Sequence, residues 1–184
     1  MSNLKTLIES FRKKAYKRVR RSEQSYQQTD DFTKNELERL LEMYNTCLVE
    51  DQRARLIRDA MEHHIRRYHG YSIEGKIGSH YRQFGVDEKN CIFEHIMPVN
   101  TTVAMLIEGA LTINQALNTP TCLIKKEDDV ILRESGLGSS SPDNWNFFKR
   151  YHVLNSKFKT YNGQVIDNPD SFTLEDHFKL FSIL

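Results

Sequence analysis

The chain has 184 residues, of which 39% are hydrophobic and 28% are charged, and this composition is typical of one globular domain. No apolar run approaches the roughly 18 to 20 residues that cross a bilayer, and no apolar signal segment follows Met1, so we expect a cytoplasmic protein that does not enter a membrane. The three cysteines, Cys47, Cys91 and Cys122, are widely spaced, which excludes a metal knuckle and a disulfide framework.

The net charge of +1 conceals one strongly basic segment. Residues 12–21 read RKKAYKRVRR, and on the helix predicted for residues 3–24 these cations lie largely off the apolar stripe. No acid stands among them, so the like charges repel one another unless an anion is near. A solvated face is the alternative, but we expect a basic helical arm, residues 1–29, that binds the nucleic-acid backbone. The contacts are expected from Arg12, Lys13, Lys17, Arg18, Arg20 and Arg21.

Two helical segments are predicted after a polar linker over residues 24–31. The motif Thr33-Lys-Asn-Glu36 predicts a capping box that opens the first of them. Its apolar stripe lapses at residues 50–52 and then resumes, so we expect either one bent helix or two helices that end at Gly70. Residues 71–90 contain three glycines and are predicted to be mainly loop.

The next part of the chain has the predicted order strand, helical insert, strand, helix. Cys91-Ile-Phe-Glu-His-Ile-Met-Pro98 predicts a short strand that ends before a proline. Thr112-Ile-Asn-Gln115 predicts a capping box for a short helix in the insert. Residues 121–124 predict the second strand and residues 126–135 the helix, with Gly136 at its left-handed C-cap.

The last third of the chain contains an aromatic segment, a turn and a final helix. Residues 144–153 are predicted to be helical, Asn162-Gly163 predicts a hairpin turn, and Thr173 begins the last helix. Arg150 is no stronger a candidate for a phosphate contact than any surface arginine. The aromatic side chains are expected in the core or at a subunit contact, which leaves a homodimer open: Trp145, Phe147, Phe148 and Tyr151.

The other histidines carry no recognisable motif. His64 lies on the predicted apolar stripe, and His69 lies five residues away, which is not a spacing that places two ligands on one helix face. We therefore expect no metal site there. The histidines expected at the surface or in helix caps are His80, His152 and His177.

The dipeptide Glu94-His95, at the end of the first strand, carries the strongest chemical signal. A histidine with an ordinary pKa of about 6.5 suits a general base at neutral pH, and a carboxylate suits Mg²⁺ or Mn²⁺. Neighbouring side chains of a strand point in opposite directions, so a joint site needs the strand to break, which Pro98 favours. The alternative is a strand end with a hydrogen-bonded histidine.

Residues 91–135 resemble the ββα-metal, or HNH-type, endonucleases. The shared features are an acidic residue and a histidine followed by a proline, then an asparagine, a second strand and a helix. The resemblance implies phosphodiester hydrolysis with Mg²⁺ or Mn²⁺, and a compact nuclease of this kind suits a bacteriophage or a mobile element. Aspartate stands where the family often has histidine in the helix, helices interrupt the loop between the strands, and the zinc-knuckle cysteines of some members are missing. The implied catalytic positions are His95 and Asn118, with Asn114 as a competitor, and the implied metal ligands are Glu94 and Asp128 or Asp129.

The predicted fold is α+β and mostly helical, with a small ββα unit and long N-terminal helices. Residues 30–184 are expected to form a single domain. The predicted function is a metal-dependent endonuclease that acts on DNA. Two alternatives stay open: a nucleic-acid-binding protein without catalysis, which the helix aspartates favour, and a helical protein-interaction factor whose aromatic segment binds a partner.

Overall fold

The computed structural model describes residues 23–48, 51–69, 79–87 and 89–183, and these ranges form an α+β fold. Within them, no helix combines the length and apolar character that crossing a lipid bilayer requires. The α-helices are α1 (Glu23–Asn45), α2 (Gln52–His69), α3 (Val99–Ile107), α4 (Ile113–Leu117), α5 (Lys126–Glu134) and α6 (Leu174–Leu180). The strands are β1 (Tyr81–Gln83), β2 (Cys91–His95), β3 (Thr121–Lys125), β4 (Phe158–Thr160) and β5 (Val165–Ile166), and two 3-10 helices cover Phe147–Tyr151 and Pro169–Ser171.

The five strands form one mixed sheet in the order β2-β3-β1-β4-β5. β1 runs parallel to β3, whereas the β2–β3, β1–β4 and β4–β5 pairs are antiparallel. The carboxyl ends of β1 and β3 therefore meet the amino ends of β2 and β4 at one end of the sheet. His95, opposite Thr121, lies at the other end.

Two apolar clusters hold these elements together. The first lies against one face of the sheet and is rich in aromatic rings, including Tyr81, Phe148 and Phe158. The second joins α1, α2, α3 and α4 through buried side chains such as Leu37 and Met61. The helical cluster and the sheet cluster meet around the chain between His95 and Val99, which places the end of β2 at the junction of the two.

α1 differs from the prediction for the N-terminal part of the chain. The linker predicted over residues 24–31 is wrong, because these residues are helical and the predicted domain boundary between residues 29 and 30 lies inside α1. Thr33 is not a cap, since its Oγ1 donates a hydrogen bond to the Thr29 carbonyl within the helix. The hydroxyl of Tyr68 donates to Asp30 at 2.7 Å, so contact with α2 stabilises helix where the local sequence is polar. The basic residues of the predicted arm, Arg12 to Arg21, lie outside the described residues.

The order strand, insert, strand, helix over residues 91–135 is confirmed. Thr112 and Gln115 form the predicted capping box of α4. Gly136 has a φ of +74°, as expected for a left-handed residue that ends α5. Thr173 caps α6 as predicted, and Asp176 completes a second capping box there. These signals succeed because each acts within a few residues of chain.

β1 is the element that the predicted loop over residues 71–90 misses. It has only three residues, and its pattern is too short to show the alternation of a strand. Pairing with β3 on one side and β4 on the other makes it the central strand of the sheet.

Candidate functional site

A cleft of about 390 Å³ opens at the carboxyl end of β2. Phe93 and His95 of β2 form one wall, and Arg66 of α2 stands opposite. Asn100, near the start of α3, and Ser139, in the loop after α5, complete the rim. Glu62, Glu94 and Arg150 also line it, so the cleft brings one imidazole together with two guanidinium groups and two carboxylates.

His95 is held in the cleft in its neutral form. Burial, together with the smaller effects of the charges of Arg66 and Arg150, lowers its pKa to about 4. Its Nε2 atom is buried and has no hydrogen-bond partner among the described residues. The His69 ring, also buried, packs with its centroid 5.0 Å from the His95 ring. At neutral pH the His95 imidazole is therefore uncharged, and its protonation requires a negative charge close by.

Glu94 points away from His95, to the opposite face of the sheet. Strand β2 remains regular through both residues, so the predicted break beside Pro98 does not occur at the dipeptide. One carboxylate oxygen of Glu94 lies 2.5 Å from Arg150 Nη2, and the other accepts a hydrogen bond of 3.0 Å from the Tyr151 hydroxyl. Burial raises the pKa of Glu94, while Arg150 and Tyr151 act against this rise.

Arg150 joins the end of β2 to the loop that follows α5. It is only 2% exposed, so its expected position as one surface arginine among others is wrong. Its Nη1 donates to the carbonyls of His95 and Ile96 at 2.8 and 3.0 Å, and its Nη2 donates to the Gly138 carbonyl at 2.9 Å. The residue therefore positions the strand end that carries His95. The available signal was its place between Phe148 and Tyr151, in an aromatic segment that packs in the core.

Asn118 does not direct its side chain to a reaction centre in this arrangement. Its side-chain amide donates to the carbonyl of Asn114 at 2.8 Å, one turn earlier along the chain. Its own carbonyl accepts a hydrogen bond of 2.8 Å from Nε2 of His177. Asn118 thus ends α4 and anchors the segment that leads into β3.

The two aspartates of α5 are also engaged by separate partners. Asp128 accepts a hydrogen bond from the side-chain amide of Gln83 in β1. Asp129, whose side chain is 16% exposed, forms a 2.8 Å ion pair with Arg133 one turn later, and its charge helps to raise the pKa of Glu94. Neither carboxylate shares a contact with His95.

The arrangement of these side chains does not fit Mg²⁺ or Mn²⁺. Within the described ranges, no three His, Cys, Asp or Glu side chains are grouped so that they could hold a metal ion. Both carboxylate oxygens of Glu94 are occupied, and the adjacent Arg150 repels a second cation. Coordination by Glu94 therefore requires that Arg150 and Tyr151 first release the carboxylate.

A second group of buried histidines lies behind the start of β3. His80 and His177 are buried, so their expected surface positions are wrong, whereas His152 is exposed as expected. The Tyr81 hydroxyl donates to Nδ1 of His177 at 2.8 Å, because Nε2 of that ring carries the proton donated to Asn118. His177 lies on the apolar side of α6, three residues after Leu174, and this spacing was the missed signal.

No protein-family model, no curated protein and no solved structure matches the chain. What the chain binds or hydrolyses is therefore inferred from the cleft and from the charges around it.

Proposed function

We propose that the protein is an endonuclease that hydrolyses phosphodiester bonds, with DNA as its preferred substrate. His95 is the proposed general base. The observation that carries the proposal is a neutral imidazole beside Arg66 in an open cleft. This cleft lies at the end of an antiparallel strand pair that is followed directly by α5, and we take β2, β3 and α5 to be the ββα unit. The predicted basic arm, Arg12 to Arg21, would add non-specific contacts to the DNA backbone.

The proposed reaction is attack of water on a phosphate bound in the cleft. His95 takes one proton from the water, and the water oxygen forms the new bond to phosphorus. The bond from phosphorus to the leaving oxygen breaks, and that oxygen takes a proton from solvent. Arg66, whose side chain is 53% exposed and lines the cleft, pairs with Glu62 at 3.2 Å. It stabilises the charge on the phosphate when the phosphate replaces Glu62 as its partner. The bound phosphate also offsets the repulsion between Arg66 and protonated His95 and so raises the pKa of His95.

A requirement for Mg²⁺ or Mn²⁺ remains a prediction from the HNH-type resemblance. Both carboxylate oxygens of Glu94 are occupied by Arg150 and Tyr151, so we assign no step of the reaction to a metal ion. Arg66 is the cation that we assign to the phosphate.

The test is cleavage of supercoiled and linear DNA by the wild type and by His95→Ala, each with Mg²⁺, with Mn²⁺ and with a chelator. We expect nicking by the wild type and a loss of about 100-fold or more in the variant. His63→Ala is the matched control, because His63 is exposed on α2 and lines no part of the cleft. Equal nicking by both variants contradicts the assignment of His95.

A second candidate function is nucleic-acid binding without catalysis. The buried ion pair between Glu94 and Arg150 favours it, because a carboxylate held in this way is not free to coordinate a cation. Under this alternative, the wild type and His95→Ala bind DNA equally well. Neither protein then cleaves DNA or RNA under any of the three metal conditions.

A further inference from the structure

The sheet face that carries His95 continues toward a group of lysines at the other end of the sheet. Side chains alternate along a strand, so Phe93 and His95 lie on the same face of β2. Phe93 is paired with Leu123, and Leu123 in turn lies beside Arg82 of β1. Lys125 lies two residues after Leu123 and therefore shares this face.

Three lysines lie on the chain segments next to one exposed aromatic ring there, and we call Phe84, Lys125, Lys157 and Lys159 the lysine patch. Phe84 is 40% exposed, and Lys159 Nζ lies 5.5 Å from the centre of its ring. The Phe84 amide donates to the Lys157 carbonyl at 2.9 Å. A Cβ atom at Gly85 would stand 3.8 Å from Lys125 Nζ, so this ammonium group lies beside the residue that follows Phe84.

The three lysines of the patch form no ion pair with any residue in the described part of the chain. In contrast, Lys34, Lys149 and Lys179 each pair with an acid. The nearby Asp128 contacts Gln83, whose side chain belongs to the core face of the sheet, so it does not neutralise the patch. The patch therefore presents three ammonium groups, none of which forms an ion pair with a described acid.

We propose that the lysine patch binds a single-stranded segment of the nucleic acid that enters the cleft. Leu123, which lies between the cleft and the patch on this face, is 1% exposed, so the segment passes over the chain that covers Leu123 and not along the sheet itself. A base stacks on Phe84, and phosphates on either side contact Lys125, Lys157 and Lys159. Cations beside an aromatic ring bind single strands in this way, and a bare ring tolerates any base. Lys125 is paired with Cys91, four residues from His95, so the patch lies about 13 Å from the imidazole along β2. This inference rests on the proposed function for its ligand.

The experiment measures the fluorescence anisotropy of a labelled single-stranded oligonucleotide, and of its duplex, across a range of salt concentrations. It uses the full-length wild type, Phe84→Leu and the double variant Lys157→Gln/Lys159→Gln. The control is Lys34→Gln/Lys179→Gln, which removes the same charge from lysines outside the patch. We expect the patch double variant to bind the single strand about tenfold more weakly and to lower the salt slope by about 1.4. Phe84→Leu should weaken single-strand binding about tenfold and duplex binding much less.

The two ideas fail in distinguishable ways. If the wild type binds but cleaves nothing while the patch variants lose affinity, the proposed nuclease fails and the binding surface stands. If the patch variant and the control bind equally, or the wild type binds no oligonucleotide, the surface assignment is overturned. An unchanged affinity of Phe84→Leu for both ligands overturns the single-strand assignment.

Discussion

Nη2 of Arg150 lies 2.5 Å from Oε1 of Glu94, and both side chains are buried where β2 meets the 3-10 helix Phe147–Tyr151. The same guanidinium binds the carbonyls of His95 and Gly138. One internal cation thus neutralises Glu94 and fixes both the strand end and the loop that border the cleft. The buried charge of Glu94 is therefore neutralised by a residue of the same chain.

We expect Glu94→Gln to lower the free energy of unfolding by about 3–5 kcal/mol, because it leaves the buried charge of Arg150 without its partner. Urea unfolding at neutral pH measures this loss. Glu175→Gln is the matched control, since Glu175 pairs with Lys179 through side chains that are 60% and 70% exposed. Breaking such a surface pair costs about 0–1 kcal/mol. Similar losses in both variants would contradict a structural role for the buried pair.

Stability is expected to fall steeply with acid, because three buried histidines and the partly buried His95 are neutral in the folded protein. Burial lowers the pKa of His69 to about 3 and the pKa values of His95 and His177 to about 4, and it lowers that of His80 well below the ordinary value. Below about pH 6.5 the unfolded chain binds protons that the folded protein does not bind. Each histidine then removes up to about 1.4 kcal/mol per pH unit.

This contribution is fully present above pH 6.5 and is lost as the pH falls toward 4. The raised pKa of Glu94 increases the free energy of unfolding as the pH falls, but this is one group against four histidines. At pH 5.5 the four histidines together remove about 5–6 kcal/mol, which is comparable to the stability of a typical domain. Urea unfolding at pH 7.5, 6.5 and 5.5 measures the trend. A free energy of unfolding that stays constant over this range would show that the histidines are not buried in the neutral state.

Tyr81→Phe should destabilise the protein by about 1–3 kcal/mol, because it leaves the buried Nδ1 of His177 without a donor. Tyr161→Phe removes the same hydroxyl from a side chain that is 51% exposed, and we expect little change there. Thermal unfolding of the two variants side by side provides the measurement. A larger loss in Tyr161→Phe would argue against the hydrogen bond between Tyr81 and His177.

Asn118→Ala tests whether Asn118 is catalytic, as the HNH-type resemblance implies, or structural, as its contacts indicate. Its side-chain amide bonds to Asn114 and not into the cleft, so we expect the variant to lose about 1 kcal/mol of stability. Any cleavage activity should remain within a few-fold of the wild type. The nicking assay used for His95 decides the matter, and a loss as large as that of His95→Ala would make Asn118 a catalytic residue.

The sequence by itself was sufficient for several features that depend on nearby residues, but not for the Thr33 cap, where contact with α2 extends the helix past the local signal. The capping box of Thr112 and Gln115, the left-handed Gly136 and the Thr173 cap were all predicted at their observed positions. The order strand, insert, strand, helix around Glu94-His95 was also predicted. Each of these signals is a pattern of hydrogen bonds or polarity within one or two turns of chain, so local preference and the final fold agree.

The tertiary structure alone decided which side chains meet. Glu94 and Arg150 lie 56 residues apart in the chain, and no local pattern indicates that the arginine is buried beside the carboxylate. The same holds for His69 beside His95 and for β1, which becomes a strand only through its neighbours in the sheet. Burial and ion pairing depend on the packing of distant segments, and this packing turned the Glu94 carboxylate toward Arg150 and Tyr151 and left the His95 ring on the other face of β2.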